Sequence, residues 1–386
     1  MIYLTPLIFN QINFSATKIG SGLAAAALIG TLARLVSGSL LDRGVSYSWP
    51  LRGAALLAII ADLLLFNAQS FDTYFKGQLL IGIAMGLYWP AIELAVPASC
   101  GEFPSSKGYA LVRSSDALGV SLGTLIGTVA ALLNIIRVVY LVDILCMISL
   151  LLLLKYNPIN NSNLGKSEEV VNVNSTNKKD FTKDNVSWIK GLLPIISISL
   201  LATGVLSLLQ CALPLDLVRG GIERPPLNEG WCSALVAVQL LLLVGFQWPI
   251  GNWLATHDPK FGLRISLSAF GIGCLLLGLS SLTSKGIVLA FIAQLPLAIA
   301  LAAFLPTATE SIIQESSLDK RGLALAMFSQ CFAISAFVAP LIAGQMIDKQ
   351  GNGVMLWTIF SAMCFVAMLW LSSVQRKKIQ MNSRHI

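Results

Sequence analysis

Apolar residues run in long blocks along most of the chain, separated by short polar breaks. A helix that crosses a bilayer needs about 20 mostly apolar residues. Eleven blocks qualify: 19–41, 53–70, 75–98, 109–133, 138–154, 191–213, 230–254, 265–283, 286–309, 323–346 and 354–374. One polar segment is much longer than the other breaks. It covers 155–190, is rich in Asn, Ser, Lys and Glu, and reads as a flexible linker that can bury no core. The pattern predicts an all-α polytopic membrane protein. An N-terminal membrane bundle occupies 1–154, the linker 155–190, a C-terminal bundle 191–374, and a short basic tail 375–386.

The two halves share traces of one sequence. The stretch from Gln78, "QLLIGIAMGLYWPAIE", aligns with "QLPLAIALAAFLPTATE" from Gln294, and Pro90 falls on Pro306 at the same offset of 216. "KGYALVRSSD" aligns with "RGLALAMFSQ" at 214, and "RLVSGSLL" with "QWPIGNWL" at 213. Neighbouring offsets in the right order predict two related bundles, an arrangement common among secondary transporters. The repeat also exposes a gap. "ALPLDLVRGG" from Ala212 resembles "LTPLIFNQ" from Leu4, yet only five residues precede Pro6. Residues 1–9 would span about 13 Å as helix, under half of the hydrocarbon core. The first of twelve helices therefore looks truncated, and an apolar stretch is expected upstream of Met1.

Composition narrows the class. Hydrophobic residues make up 55% of the 386 residues and charged residues 12%, half of the roughly 25% usual in soluble domains. The net charge of +7 does not point to nucleic acid, because the basic residues are scattered through inter-helix segments. Seventeen Lys and Arg fall on the linker side and seven on the other. Positive charge collects in the cytoplasm, so the linker and C-terminus are expected there, in a plasma (inner) membrane. The seven cysteines form no CxxC, and a Cys211–Cys232 disulfide is not expected; the two histidines, His257 and His385, lie in a loop and in the tail. No nucleotide-binding loop or catalytic pair of His, Cys or carboxylates occurs. The expectation is therefore a non-enzymatic, multi-pass monomer with no cofactor and no metal. Its partners would be a small-molecule substrate and the lipid bilayer.

The first long block closes on "SGSLLDRG", Ser37 to Gly44. "GSLLDRG" resembles the G-x-x-x-D-R-x-G signature of the major facilitator superfamily, between helices two and three. Gly38, Asp42 and Arg43 fit, and Gly44 comes one place early. Residues 82–123 are similar to helices four and five of that superfamily. The resemblance implies two six-helix bundles and alternating access about a site near the bilayer midplane. The chain departs from the pattern twice. Gln78 stands where the superfamily often has an Arg linked to proton coupling, and "GVSLGTLIG" has Gly119, Gly123 and Gly127 but not the Gly-Pro pair of antiporters. The glycines offer a smooth stripe, for packing or as a sliding surface.

Ionisable residues inside spans are costly and mark function by default. Counting at about 1.5 Å per residue from the linker-side helix ends puts Arg34, Asp62, Glu93, Arg113 and Asp116 about 8–15 Å deep. Asp143 falls near the opposite end of its helix and reads as structural. In the second half Gln247 replaces Arg34, Met327 replaces Arg113, Gln330 replaces Asp116, and Glu310 lies one place off from Glu93. Two readings stand. Arg34, Gly38, Asp42, Arg43, Glu93, Arg113 and Asp116 brace and gate the linker side, or Glu93, with Glu310 as a second candidate, carries a coupling proton. The resemblance further implies that helices one, four, seven and ten line the cavity. It thereby nominates Gln78, Tyr88, Trp89, Gln210, Gln294 and Thr307 for substrate contact. The expected activity is secondary transport of a small organic solute, with efflux by proton coupling weighed against an uncoupled facilitator or a sugar and polyol importer.

Overall fold

The computed structural model describes residues 3–99, 105–157, 187–254, 256–316 and 321–382, so the expected linker falls almost wholly outside them. Twelve helices and no strand occur among the described residues: α1 (Thr5–Gln11), α2 (Ala16–Asp42), α3 (Ser48–Asn67), α4 (Phe71–Ser99), α5 (Ser105–Leu132), α6 (Val138–Tyr156), α7 (Ser187–Arg219), α8 (Glu229–Leu254), α9 (Pro259–Ser280), α10 (Gly286–Glu315), α11 (Arg321–Gln350) and α12 (Val354–Asn382). Ten of them are long and apolar enough to cross a membrane. The described apolar part of α5 is shorter, Leu118–Leu132. The protein is an all-α, multi-pass membrane protein, as the blocks predict.

Some boundaries differ from the reading of the sequence. The span expected to start at 53 begins at Ser48 as α3. Pro50 sits in its first turn, where a missing N–H costs nothing, and Arg52 hides its charge by donating to the Leu154 carbonyl at 2.7 Å. The span expected to end at 213 runs on to Arg219 through Pro214. Proline interrupts α7, α8, α10 and α11 without ending them, as membrane helices allow.

Contacts divide the chain into two compact units, one of Ser21–Asp180 and one of Ile2–Gly20 with Phe181–Ile386. In the first unit α3 packs on α4 and α6. Two arginines fasten α3 to the antiparallel α6. Arg52 does so near one end, and at the other end Arg137 donates to the carbonyls of Phe66 at 2.6 Å and Ala68 at 2.9 Å. The α2–α4 seam is made by glycine. A Cβ at Gly30 would stand 2.9 Å from the Gly82 carbonyl oxygen, and one at Gly86 would overlap the Gly30 carbonyl. Helices with such small faces approach backbone to backbone. Gly38 is not part of this seam, since a Cβ there would meet nothing within 4 Å. The close approach lies two turns earlier along α2, at Gly30.

The second unit repeats the order of packing. There α9 packs on α10 and α12, while α7 packs on α11 and α10. Buried hydroxyls tie these helices. Thr203 and Ser335 meet at 2.8 Å, and Ser266 donates to the Ala300 carbonyl at 2.9 Å. Cys211 and Cys232 are free, buried thiols.

Candidate functional site

The "LLDRGV" corner follows from helix-end geometry. Gly44 has φ +82°, its N–H donates to Leu41 O at 2.9 Å, and the Val45 N–H donates to Leu40 O at 3.3 Å. These two bonds form the left-handed glycine cap that ends a helix. The glycine one place early in the motif is therefore the residue that stops α2. Arg43 is exposed; the Asp42 side chain lies outside the described residues.

The other charged candidates spread along the first unit. Arg34 and Glu93 are exposed, and Asp116 is half-buried. Asp116 lies near Tyr88. The Arg113 side chain lies outside the described residues. Asp62 does not join this layer. It is 14 residues into α3, about 21 Å from the start and about 8 Å from the far end. The early helix start at Ser48 moves it there.

The cavity candidates fall in three kinds of surroundings. Gln78 is 3% exposed and sits one turn from Tyr74 and from Gly82, both of which face α2, so it lies in the α2–α4 seam. Gln294 is fully buried, and its amide donates to the Ala290 carbonyl of its own helix at 2.7 Å. The Thr307 hydroxyl bonds to the Ala303 carbonyl at 2.6 Å, and its methyl fills the space over Gly262 on α9. Tyr88 packs at the edge of the core of Leu41, Tyr47, Leu51, Ala91, Ala95 and Leu154. Its ring meets Trp89 edge-on at 5.6 Å. Gln210 is half-buried and reaches the Tyr3 hydroxyl at 3.5 Å.

Glu310 lies in a cavity of about 510 Å³ between α8 and α10. Gln247 and Gly251 line it from α8, and Ala302, Leu305, Pro306, Thr309 and Glu310 from α10. The lining mixes polar and apolar surface, and Glu310 is its ionisable group. The Gln314 amide donates to Glu310 Oε1 at 3.1 Å, leaving the other carboxylate oxygen for a proton or a ligand. One turn beyond, Lys260 pairs with Glu315 and ties α9 to α10. Asp258 caps α9 by accepting from the Lys260 N–H at 2.9 Å. The cavity thus sits on the linker-side half of this unit, where α8 and α10 both end.

Two polar networks escape a reading of the sequence. Asp216 near the end of α7 is fully buried and pairs with the equally buried Arg224 at 3.1 Å. Its oxygens also accept from the Gly353 N–H at 2.8 Å and from Trp357 Nε1 at 3.0 Å. Arg224 donates to Ser280 Oγ at 2.6 Å. In the second network Asp348 on α11 accepts from the Ala16 and Thr17 N–H groups at 2.9 and 2.7 Å, capping α2, and pairs with Arg219 at 2.8 Å. An isolated "PLDLVRG" and a lone Asp near a helix end were the only signals.

Known structures repeat this architecture. A nucleoside transporter, NupG, superposes with a TM-score of 0.78 at 14% identity, over 96% of this chain and 93% of that one. A POT family transporter in complex with a thioalcohol-conjugated peptide reaches 0.76 at 13% identity, over 97% and 91%. A peptide transporter POT in complex with sulfate reaches 0.74 at 12%, over 97% and 91%. At these identities the likeness is one of fold. No curated protein sequence matches the chain. The family model of the Major Facilitator Superfamily matches residues 1–221 and 227–384; with its twelve helices and paired units, the chain belongs to that superfamily of transporters.

Proposed function

We propose that the protein is a secondary transporter that moves a small organic solute by alternating access, with the α8–α10 cavity on the solute path and Glu310 as the group that takes up a proton. The cavity carries this reading. Its volume of about 510 Å³ falls in the range of roughly 300–1,000 Å³ typical of small-molecule sites. Walls of mixed polar and apolar character, with Gln247, Thr309 and Glu310 as the polar points, suit a site that orients an organic solute. An ionisable group inside a membrane span is costly unless it is used. Tyr88, Trp89 and Gln210, each half-buried, have surface left for a solute. Gln78, Gln294 and Thr307 shape the path from within packing seams. Arg34, Gly38, Asp42, Arg43, Glu93, Arg113 and Asp116 are assigned to the linker-side gate. The positive-inside count puts the linker and C-terminus in the cytoplasm of a plasma-membrane protein.

Nucleosides and small peptides are the first probes, since a nucleoside transporter and a transporter holding a conjugated peptide share the fold. In proteoliposomes, a pH gradient should drive accumulation of the transported solute. Glu310→Gln should abolish that accumulation and leave solute exchange intact. Equal movement with and without the gradient, in the unaltered protein, would instead establish an uncoupled facilitator. Gln78 in place of the superfamily's frequent arginine favours that second reading.

A further inference from the structure

The α3–α6 pair has a fixed register. Arg137 is bonded to the carbonyls of Phe66 and Ala68 at one end, and Arg52 to that of Leu154 at the other. Both helices rise about 1.5 Å per residue in opposite directions. Counting inward from either clamp brings Asp143 level with Asp62. The side chains agree, with Asp143 within hydrogen-bonding reach of Asp62. Asp62 is 0% exposed, and neither of its carboxylate oxygens meets a hydrogen-bond donor among the described residues. Asp143 is half-buried.

Two bare carboxylates cannot face each other at this distance inside a bilayer. Their repulsion is strong at low dielectric, and each alone is costly there. One proton removes the conflict, because a carboxylic acid O–H then donates to the neighbouring carboxylate. We propose that Asp62 and Asp143 form a proton-binding site that holds one shared proton between α3 and α6. It is built from the other unit of the chain and uses no residue of the Glu310 cavity. A metal ion is the poorer occupant, since no group of three or more acidic, His or Cys ligands occurs among the described residues.

The charges around the pair suit one proton. From α6, Tyr140 lies one turn away, and Arg137 lies about 9 Å along the axis, with its guanidinium on the Phe66 and Ala68 carbonyls. From α4, the other helix packed on α3, the charges near this level are Lys76 and Asp72. They are exposed and pair with each other at 2.6 Å. Tyr74 is turned to Gly22 on α2. The site does not depend on whether solute transport is coupled.

Infrared spectroscopy of the full chain in lipid, titrated with acid and base, reads the proton directly. The unaltered protein should show at neutral pH a carboxylic acid C=O band that shifts in D₂O and corresponds to one group. Asp62→Asn should remove it, since the amide donates to Asp143 as the proton did, and Glu310→Gln should leave it in place. If Asp62→Asn does not fold, the double change Asp62→Asn with Asp143→Asn should fold and lack the band, because two amides satisfy each other. Four results would overturn the assignment: no such band at neutral pH, a band untouched by Asp62→Asn, carboxylate bands that respond to sodium or calcium only while Asp62 is present, or failure of both amide variants to fold.

Discussion

Burying Asp216 beside Arg224 is tolerable because most of their polar atoms are engaged, with Arg224 Nε the one left without a partner among the described residues. The carboxylate takes one guanidinium, one backbone N–H and one indole N–H, and the guanidinium takes a serine hydroxyl and the Asp216 carbonyl as well. Removing one partner strands the other charge, at a typical cost of about 3–5 kcal/mol. Asp216→Asn and Arg224→Met should each lower the melting temperature in detergent sharply, and the double change should recover part of the loss. A loss in the double variant equal to the sum of the two single losses would show that the pair is not coupled. This site was illegible in the chain. Arg224 reads as one more loop charge, and only the folding of α7, α9 and α12 together brings its partners to it.

Helix faces sort the glycines into two classes. Gly30, Gly82 and Gly86 close the α2–α4 seam, whereas Gly38, Gly119 and Gly123 have open space where a Cβ would stand. Gly86→Leu should therefore collapse the yield of folded protein, because its side chain would meet the backbone of Gly30. Gly123→Leu should leave yield and melting temperature unchanged. If the α5 stripe is a sliding surface, the same variant should lose solute transport while staying folded, and unimpaired transport would rule that role out. At the start of α2, Asp348 caps the Ala16 and Thr17 N–H groups from more than three hundred residues away in sequence, beside the local cap in which Ser15 Oγ accepts from the Lys18 N–H. Losing a cap costs about 1 kcal/mol. Asp348→Ala should speed amide hydrogen exchange at Ala16 and Thr17 and leave the middle of α2 protected; uniform exchange along α2 would contradict this.

The internal repeat gives the cavity its meaning. Gln247, Gly251 and Pro306 are the counterparts of Arg34, Gly38 and Pro90, and Glu310 stands one place off that of Glu93. One unit carries the exposed charges Arg34 and Glu93 at this layer, while the other, with Gln247, Thr309 and Glu310, opens a cavity there. The two related bundles thus differ at this layer, with Arg34 and Glu93 in one and Gln247 and Glu310 in the other. Orientation is testable on the same protein. A protease added to sealed cells should spare the 155–190 segment and cut it only after lysis. Cleavage in intact cells would place the linker outside and invert the assignment of the gate.

Helix number, the division into halves and the superfamily were all legible along the chain. Each rests on local quantities: the length of an apolar run, a glycine after a basic residue, the offset between similar stretches. Helix faces were not legible. In a membrane protein apolar residues meet lipid and neighbouring helices alike, so periodicity does not tell a buried side from an exposed one. Gln78 and Thr307 looked like cavity residues and lie in packing seams. Asp62 looked like part of the linker-side layer, but α3 starts five residues earlier than its apolar run and carries Asp62 to Asp143. Glu310 was visible as a charge out of place. That it stands in a cavity with Gln247 and Thr309 was decided by the crossing of α8 and α10, which depends on contacts between residues far apart in the chain.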